Sequence, residues 1–130
     1  MVTYVELKGF DEFAKYTESI DPNGPQVLFY FSGAKLPNGD SWCPDCVEAY
    51  CLSYCLAKAS HFNFNYECTF IQMDVLHNYS WKDRACPFRT DTRTKLMVIP
   101  TIIKWKGVQR LEGSQCNKRE LLQMLFEDED

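Results

Sequence analysis

The sequence predicts an α/β fold: a central mixed β-sheet flanked by helices on both faces. Three observations lead there. With 130 residues, the chain has room for one core but not two. Strand-like and helix-like periodicities alternate along it, in the order β-α-β-α-β-α-β-β-α. The alternation closes with a hairpin and a helix, which mixes antiparallel with parallel pairing, and the right-handed crossover rule removes most other topologies.

The elements follow in order. Residues 3–7 alternate well enough for a short strand. Phe10, Phe13, Ala14, Thr17 and Ile20 recur at helical spacing, so 10–20 read as an amphipathic helix, stopped by Asp21-Pro22-Asn23-Gly24-Pro25. Residues 27–31 are an unbroken apolar run between turn signals, the pattern of a central strand buried on both faces. A loop over 32–41, with two glycines and a proline, leads into Trp42-Cys43-Pro44-Asp45-Cys46, and a helix is predicted over 47–60. Residues 69–75 form the next apolar strand; 77–86 read as irregular and carry Trp81. Pro87 suits a first helical turn, where its missing N–H costs nothing, and a helix is predicted over 88–95. A strand from 98 through Trp105, a turn at Gly107 and a return over 108–111 make the hairpin. Asn117 is expected to cap the final helix, with Glu120 in capping-box position and Leu121, Leu122, Leu125 and Phe126 on its buried face. Four acids at 127–130 oppose that helix's dipole, so a frayed, solvated tail is expected on a single domain spanning 1–130.

Charge and composition exclude several functions. Acids outnumber bases 18 to 14, a net charge of -4, which argues against binding nucleic acid or an anionic membrane surface. No uncharged apolar run approaches the roughly 18 residues of a membrane span. The opening residues lack the basic-then-apolar pattern of a secretory signal, which predicts the cytosol or nucleus. Seven cysteines is an odd count, whereas a secreted disulfide framework usually uses an even one. Clustered cysteines in a reducing compartment are more often catalytic or metal-binding. Aromatics make up 15%, most of them expected in the core.

The chemistry is expected at Cys43 and Cys46. Two cysteines three apart at a helix start can approach closely enough for a disulfide. The first meets unpaired backbone donors and the positive end of the helix dipole, both of which favour a thiolate. Cys43 is therefore the attacking sulfur. Cys46, one turn further in, is the resolving sulfur that releases a reduced product. A thiol with pKa about 8.5 is roughly 3% ionised at pH 7, and one near 7 is half ionised. A Brønsted slope near 0.45 returns about fivefold of that about fifteenfold gain. The larger advantages are the pre-positioned second thiol and an improved leaving group. Asp45 puts a negative charge beside the dithiol, which disfavours a thiolate and makes the pair more reducing; it also complements the helix N-terminus. A proline at a strand start needs a reason, and a cis Pro100 beside the dithiol supplies one by exposing a backbone edge for an extended substrate. Trp42, Pro44, Ile99 and Pro100 are the expected docking surface.

The strand, the Ser41-Trp42-Cys43-Pro44-Asp45-Cys46 motif, the long loop before it, Trp81-Lys82-Asp83 with Phe88-Arg89, Pro100-Thr101 and Met124-Leu125-Phe126 together resemble the thioredoxin fold, and more narrowly the thioredoxin-related 14-kDa protein family. The resemblance covers nearly the whole chain. It implies a cytosolic disulfide reductase, monomeric, with no bound cofactor beyond its redox-active Cys43–Cys46 disulfide. NADPH would recharge it through thioredoxin reductase, and it would act on small or selected protein disulfides such as cystine. Thioredoxins place a buried aspartate beneath the dithiol; here Phe29 falls at about that position, which leaves Asp45 or a water to take the Cys46 proton. Cys51 stands where thioredoxins kink the helix with proline, and Cys86-Pro87 also departs from the family's form. The loop before Trp42 has about ten residues where a plain thioredoxin has two. It reads as a wall that excludes bulky substrates, or as a plain surface loop.

The remaining cysteines are expected to be accessory. Cys43 to Cys55 spans about 18 Å of helix rise, too far for four thiolates around one zinc. Cys51 and Cys68 read as core; Cys86 and Cys116 read as loop residues open to oxidation. His61 and His77 read as surface residues with no pairing to Cys43, and Trp81 and Trp105 as core. The other function considered is a redox-gated protein interaction module with little turnover. An oxidase or isomerase of the secretory pathway fits poorly with Asp45.

Overall fold

The computed structural model describes residues 2–21, 23–24, 26–38, 41–47, 68–75, 81–105 and 109–127. Strand β1 (Val2–Lys8) leads into helix α1 (Gly9–Ser19) through Gly9, whose φ of 80° favours glycine. Strands β2 (Gln26–Ser32), β3 (Cys68–Asp74), β4 (Thr101–Lys104) and β5 (Arg110–Glu112) follow, with a short helix α2 (Pro87–Thr90) before β4. A 3-10 helix (Gly113–Asn117) and helix α3 (Arg119–Glu127) complete the order. A helical turn opens at 44–47; the rest of the helix predicted there, with Cys51, Cys55 and His61, lies outside the described residues, as do His77, Gly107 and 128–130.

The strands form one sheet in the order β1-β3-β2-β4-β5. β1 and β2 run parallel to β3, and β2, β4 and β5 pair antiparallel, so the sheet is mixed as expected. β2 is central, which is why it is apolar on both sides. Its alternation divides the core. Val27, Phe29 and Phe31 face α1 and α2, packing with Phe13, Phe88, Ile71, Met73 and Trp81. Leu28 and Tyr30 face α3, packing with Phe70, Ile102, Leu122 and Leu125. Phe13 is the hub of the first face, in edge or tilted contact with Phe10, Phe29, Phe31, Phe88 and Trp105.

Three local expectations are corrected. The helix predicted over 88–95 ends at Thr90, because the next residues satisfy their backbone with side chains. Asp91 accepts from the Arg93 N–H at 2.7 Å and forks onto its guanidinium, and the Thr94 hydroxyl donates to the Phe88 carbonyl. The final helix begins at Arg119, and the Lys118 carbonyl accepts from the Leu122 N–H, so Asn117 closes the 3-10 helix instead. The capping box sits one element earlier, between Glu112 and Gln115. Cys86 and Cys116 are buried rather than open to oxidation: Cys86, in the loop just before α2, packs with Trp81 and Phe88, and Cys116 lies in the core beneath α3.

Candidate active site

The site grows from the end of β2. Phe31 is the last β2 residue paired to β4, opposite Thr101; the strand then ends at Ser32 and Gly33 leaves the sheet. The chain folds back on itself through a bridge between Lys35 and Ser41, and the Trp42 N–H donates to the Ala34 carbonyl at 3.0 Å. Lys35 also reaches Glu6 of β1 at 2.8 Å. The loop predicted before Trp42 is therefore closed at its base, and it delivers Cys43 to the start of the helical turn.

Gly33 is required by packing. A Cβ there would lie 2.5 Å from Trp42 Cε2, 2.7 Å from its Nε1 and 3.0 Å from Ser41 Oγ. The half-buried Trp42 ring thus lies close against the chain as it leaves the sheet, and it also packs on the Phe31 side of the core.

Cys43 and Cys46 are both free thiols, 7% and 1% exposed. The Cys46 N–H points at Cys43 Sγ at 3.4 Å, and the Cys43 carbonyl accepts from the N–H groups of Cys46 and Val47. Cys43 sits where a helix leaves donors unused, as its position in the motif predicts. Its thiol is pushed down to about 7. The hydrogen bond from the Cys46 thiol contributes most, and the N–H groups of Cys46 and Asp45 add to it; burial and the Asp45 carboxylate oppose it. The Asp45 charge therefore acts in the direction its sequence position suggested, against the thiolate, but it is outweighed. Cys46 moves the other way. Its bond to the Cys43 sulfur and its burial hold it protonated, while the Gly33 backbone and the Ser41 hydroxyl favour its thiolate.

The residue beneath the dithiol is Tyr30, not Phe29. Phe29 points to the opposite face, into the cluster around Phe13. Tyr30, fully buried, donates its hydroxyl to the Cys46 carbonyl at 2.6 Å. The reason is the period of two along a strand: a one-residue shift in reading moves a side chain through the sheet. Tyr30, Gly33 and Ser41 are site residues that the sequence reading missed. Ser41, a hydroxyl two residues ahead of Cys43, carried a local signal, since serine at that spacing bonds the backbone N–H downstream. It does so here at 3.1 Å, while donating to the Gly33 carbonyl at 2.8 Å.

Of the expected docking residues, Pro44 is exposed and Ile99 half-buried. Pro100 is buried and the Ile99–Pro100 bond is cis, as expected. Pro100 directly precedes Thr101, so the pair lies at the end of the sheet where β2 gives way to Gly33. The Pro100 carbonyl is occupied by the Gly113 N–H at 2.8 Å. Among the described residues, no three His, Cys, Asp or Glu side chains gather into a metal-binding group.

A mixed sheet of this order, carrying a Cys-Pro-Asp-Cys dithiol at the first turn of a helix on the α3 face, defines a protein of the thioredoxin fold. The germline-specific thioredoxin Deadhead of Drosophila melanogaster shares that fold at a TM-score of 0.53, with 14% identity, over 93% of this chain and 95% of its own. The family model for the thioredoxin domain of thioredoxin domain-containing protein 17-like proteins matches residues 6–128. Thioredoxin domain-containing protein 17 of Homo sapiens is 34% identical over 125 residues, 96% of this chain and 95% of its own. The Arabidopsis thaliana thioredoxin-like protein Clot is 34% identical over 87 residues, 65% of this chain and 62% of its own. The chain belongs to the thioredoxin domain-containing protein 17-like family, and its chemistry is of the thiol–disulfide oxidoreductase type.

Proposed function

We propose that this protein is a disulfide reductase that uses Cys43 as nucleophile and Cys46 as resolving thiol. The observation that supports this most is the opposed pair of thiols. Cys43 is drawn down to about 7 and so is substantially thiolate at neutral pH, while Cys46 keeps its proton. Thiolate Cys43 attacks one sulfur of a substrate disulfide and forms a mixed disulfide; the departing thiolate takes a proton and leaves as thiol. Cys46, deprotonated, then attacks the Cys43 sulfur. The Cys43–Cys46 disulfide forms, the mixed disulfide breaks, and the second half of the substrate leaves as thiolate and is protonated by solvent. Two protein thiols are oxidised and one substrate disulfide is reduced. NADPH, acting through thioredoxin reductase, returns the pair to the dithiol.

Trp42, Pro44, Ile99 and Pro100 form the docking surface in this reading. Among the described residues the N–H and C=O of Ile99 have no hydrogen-bond partner, which suits an extended substrate segment laid beside them. The closed loop over Gly33, Lys35 and Ser41 stands as a wall beside the dithiol and favours small disulfides such as cystine over folded proteins. Work in the cytosol as a monomer, with thioredoxin reductase as partner, completes the proposal.

The test is NADPH consumption with thioredoxin reductase present, on cystine and on insulin. Turnover of cystine that vanishes in Cys43→Ser, with little on insulin, supports a selective reductase. Equal turnover of both removes the wall but keeps the reductase. No turnover of either, with the dithiol reduced, favours a redox-gated interaction module. Cys46→Ser is expected to retain the first attack and accumulate the mixed disulfide, seen as an added mass on the protein.

A further inference from the structure

The reaction above has an unanswered requirement. Cys46 is almost fully buried, and its proton is shared with the Cys43 sulfur. Once Cys43 is tied up in a mixed disulfide, that acceptor is gone. A buried thiolate without donors is costly, so something must stabilise the Cys46 sulfur before it attacks. From below, the described residue that reaches Cys46 is Tyr30, and its hydroxyl donates to the Cys46 carbonyl. Asp45 is exposed, and its charge acts on Cys43.

What does reach the Cys46 sulfur is the chain that leaves β2. The Gly33 backbone and the Ser41 hydroxyl both approach it. Ser41 Oγ accepts from the Cys43 N–H at 3.1 Å and donates to the Gly33 carbonyl at 2.8 Å in the resting dithiol. A serine hydroxyl has one proton and a rotor, so it can serve only one acceptor at a time. Held by the Cys43 N–H, the oxygen stays in place while its proton has two destinations, the Gly33 carbonyl and the Cys46 sulfur. The loop that brings Ser41 back beside Gly33 creates this pairing.

We propose that the Ser41 hydroxyl is a two-position donor that serves the resolving step: it bonds the Gly33 carbonyl while Cys46 is a thiol, and turns to the Cys46 sulfur when that sulfur becomes a thiolate. The inference rests on the reductase reading. The proton balance follows from it. In the first step the Cys46 proton leaves with the departing substrate thiolate where that thiolate is basic enough to take it, and passes to solvent where, as with an aromatic thiolate, it is not. The Cys46 thiolate, now held by the Ser41 O–H, attacks Cys43 Sγ, closing the protein disulfide and expelling the second substrate thiolate. Ser41 neither gains nor loses a proton; its hydroxyl then returns to Gly33. The ionisable groups that face Cys46 among the described residues are Cys43 on its own turn and Tyr30 from β2.

The experiment is a stopped-flow reaction of the reduced full chain with the chromogenic aromatic disulfide 5,5'-dithiobis(2-nitrobenzoate), which releases one coloured thiolate per step. The attack and the resolution are then separate phases, followed from pH 5 to 10. In Ser41→Ala the resolving rate at pH 7 is expected to fall by about tenfold to a hundredfold relative to the attack rate, the worth of a hydrogen bond to a charged group. Its pH midpoint is expected to rise by about one to two units. Ser41→Thr, which keeps the hydroxyl, is expected to restore both. A resolving phase in Ser41→Ala with unchanged midpoint overturns the proposal. So does an equal slowing of both phases, which would mark Ser41 as a structural support of the turn. If the wild-type chain releases only one coloured thiolate, the reductase reading itself fails and takes the inference with it.

Discussion

At the scale of single residues the site separates two thiols of the same kind. Cys43 and Cys46 are three positions apart, and one hydrogen bond lowers the first and raises the second. The pH behaviour follows with a definite sign. The thiolate is the reactive form, so alkylation of Cys43 by iodoacetamide is expected to rise with pH and reach half its limit near 7. Below that value Cys43 is protonated and slow. A midpoint at the ordinary 8.5 of a free thiol would refute the geometry described for Cys43. Cys46→Ala removes its strongest partner, so in that variant the midpoint is expected to move up.

Elements show how close packing positions these groups. The exit of β2 is set by Gly33, against which Trp42 lies. Gly33→Ala forces the indole ring to move, and overpacking of this kind costs about 1–3 kcal/mol. Urea unfolding is expected to show that loss, together with a changed tryptophan emission. An unchanged midpoint would mean that the ring has room to yield. The 3-10 helix makes the opposite kind of thiol. Cys116 is fully buried, its S–H shared between the carbonyls of Leu111 and Pro100, and burial pushes it up to about 12. Mass spectrometry after iodoacetamide at pH 8 is expected to find Cys43 labelled and Cys116 untouched until urea is added. Equal labelling in the folded chain would contradict the burial.

For the whole molecule, two apolar clusters on opposite faces of one sheet hold the site rigid from below. The one against α1 and α2 converges on Phe13, so Phe13→Ala removes an aromatic that touches α2, β2 and Trp105 at once. The expected loss is about 3–5 kcal/mol in denaturant unfolding. The dithiol lies on the other face, so the pH midpoint of Cys43 alkylation is expected to stay put in the folded fraction. A shifted midpoint would show that the two faces are coupled through β2.

The order of the five strands, the central place of β2 and the two thiols were legible in the sequence, because apolar periodicity and the Cys-Pro-Asp-Cys spacing are local signals. The sequence also pointed to the cis bond at Pro100. It overran α2, because the competing bonds of Asp91 and Thr94 depend on how the chain folds back. It took Cys86 and Cys116 for accessible thiols, because burial is decided by what packs above a residue and not by its neighbours in sequence. Which residue lies beneath the dithiol depends on how the sheet is assembled. Residues 29 and 30 are adjacent in an apolar run, and facing Cys46 or Phe13 depends on strand parity relative to partners far along the chain. The same holds for Ser41 and Gly33: eight residues apart, they are hydrogen-bonded to each other because the loop closes on itself.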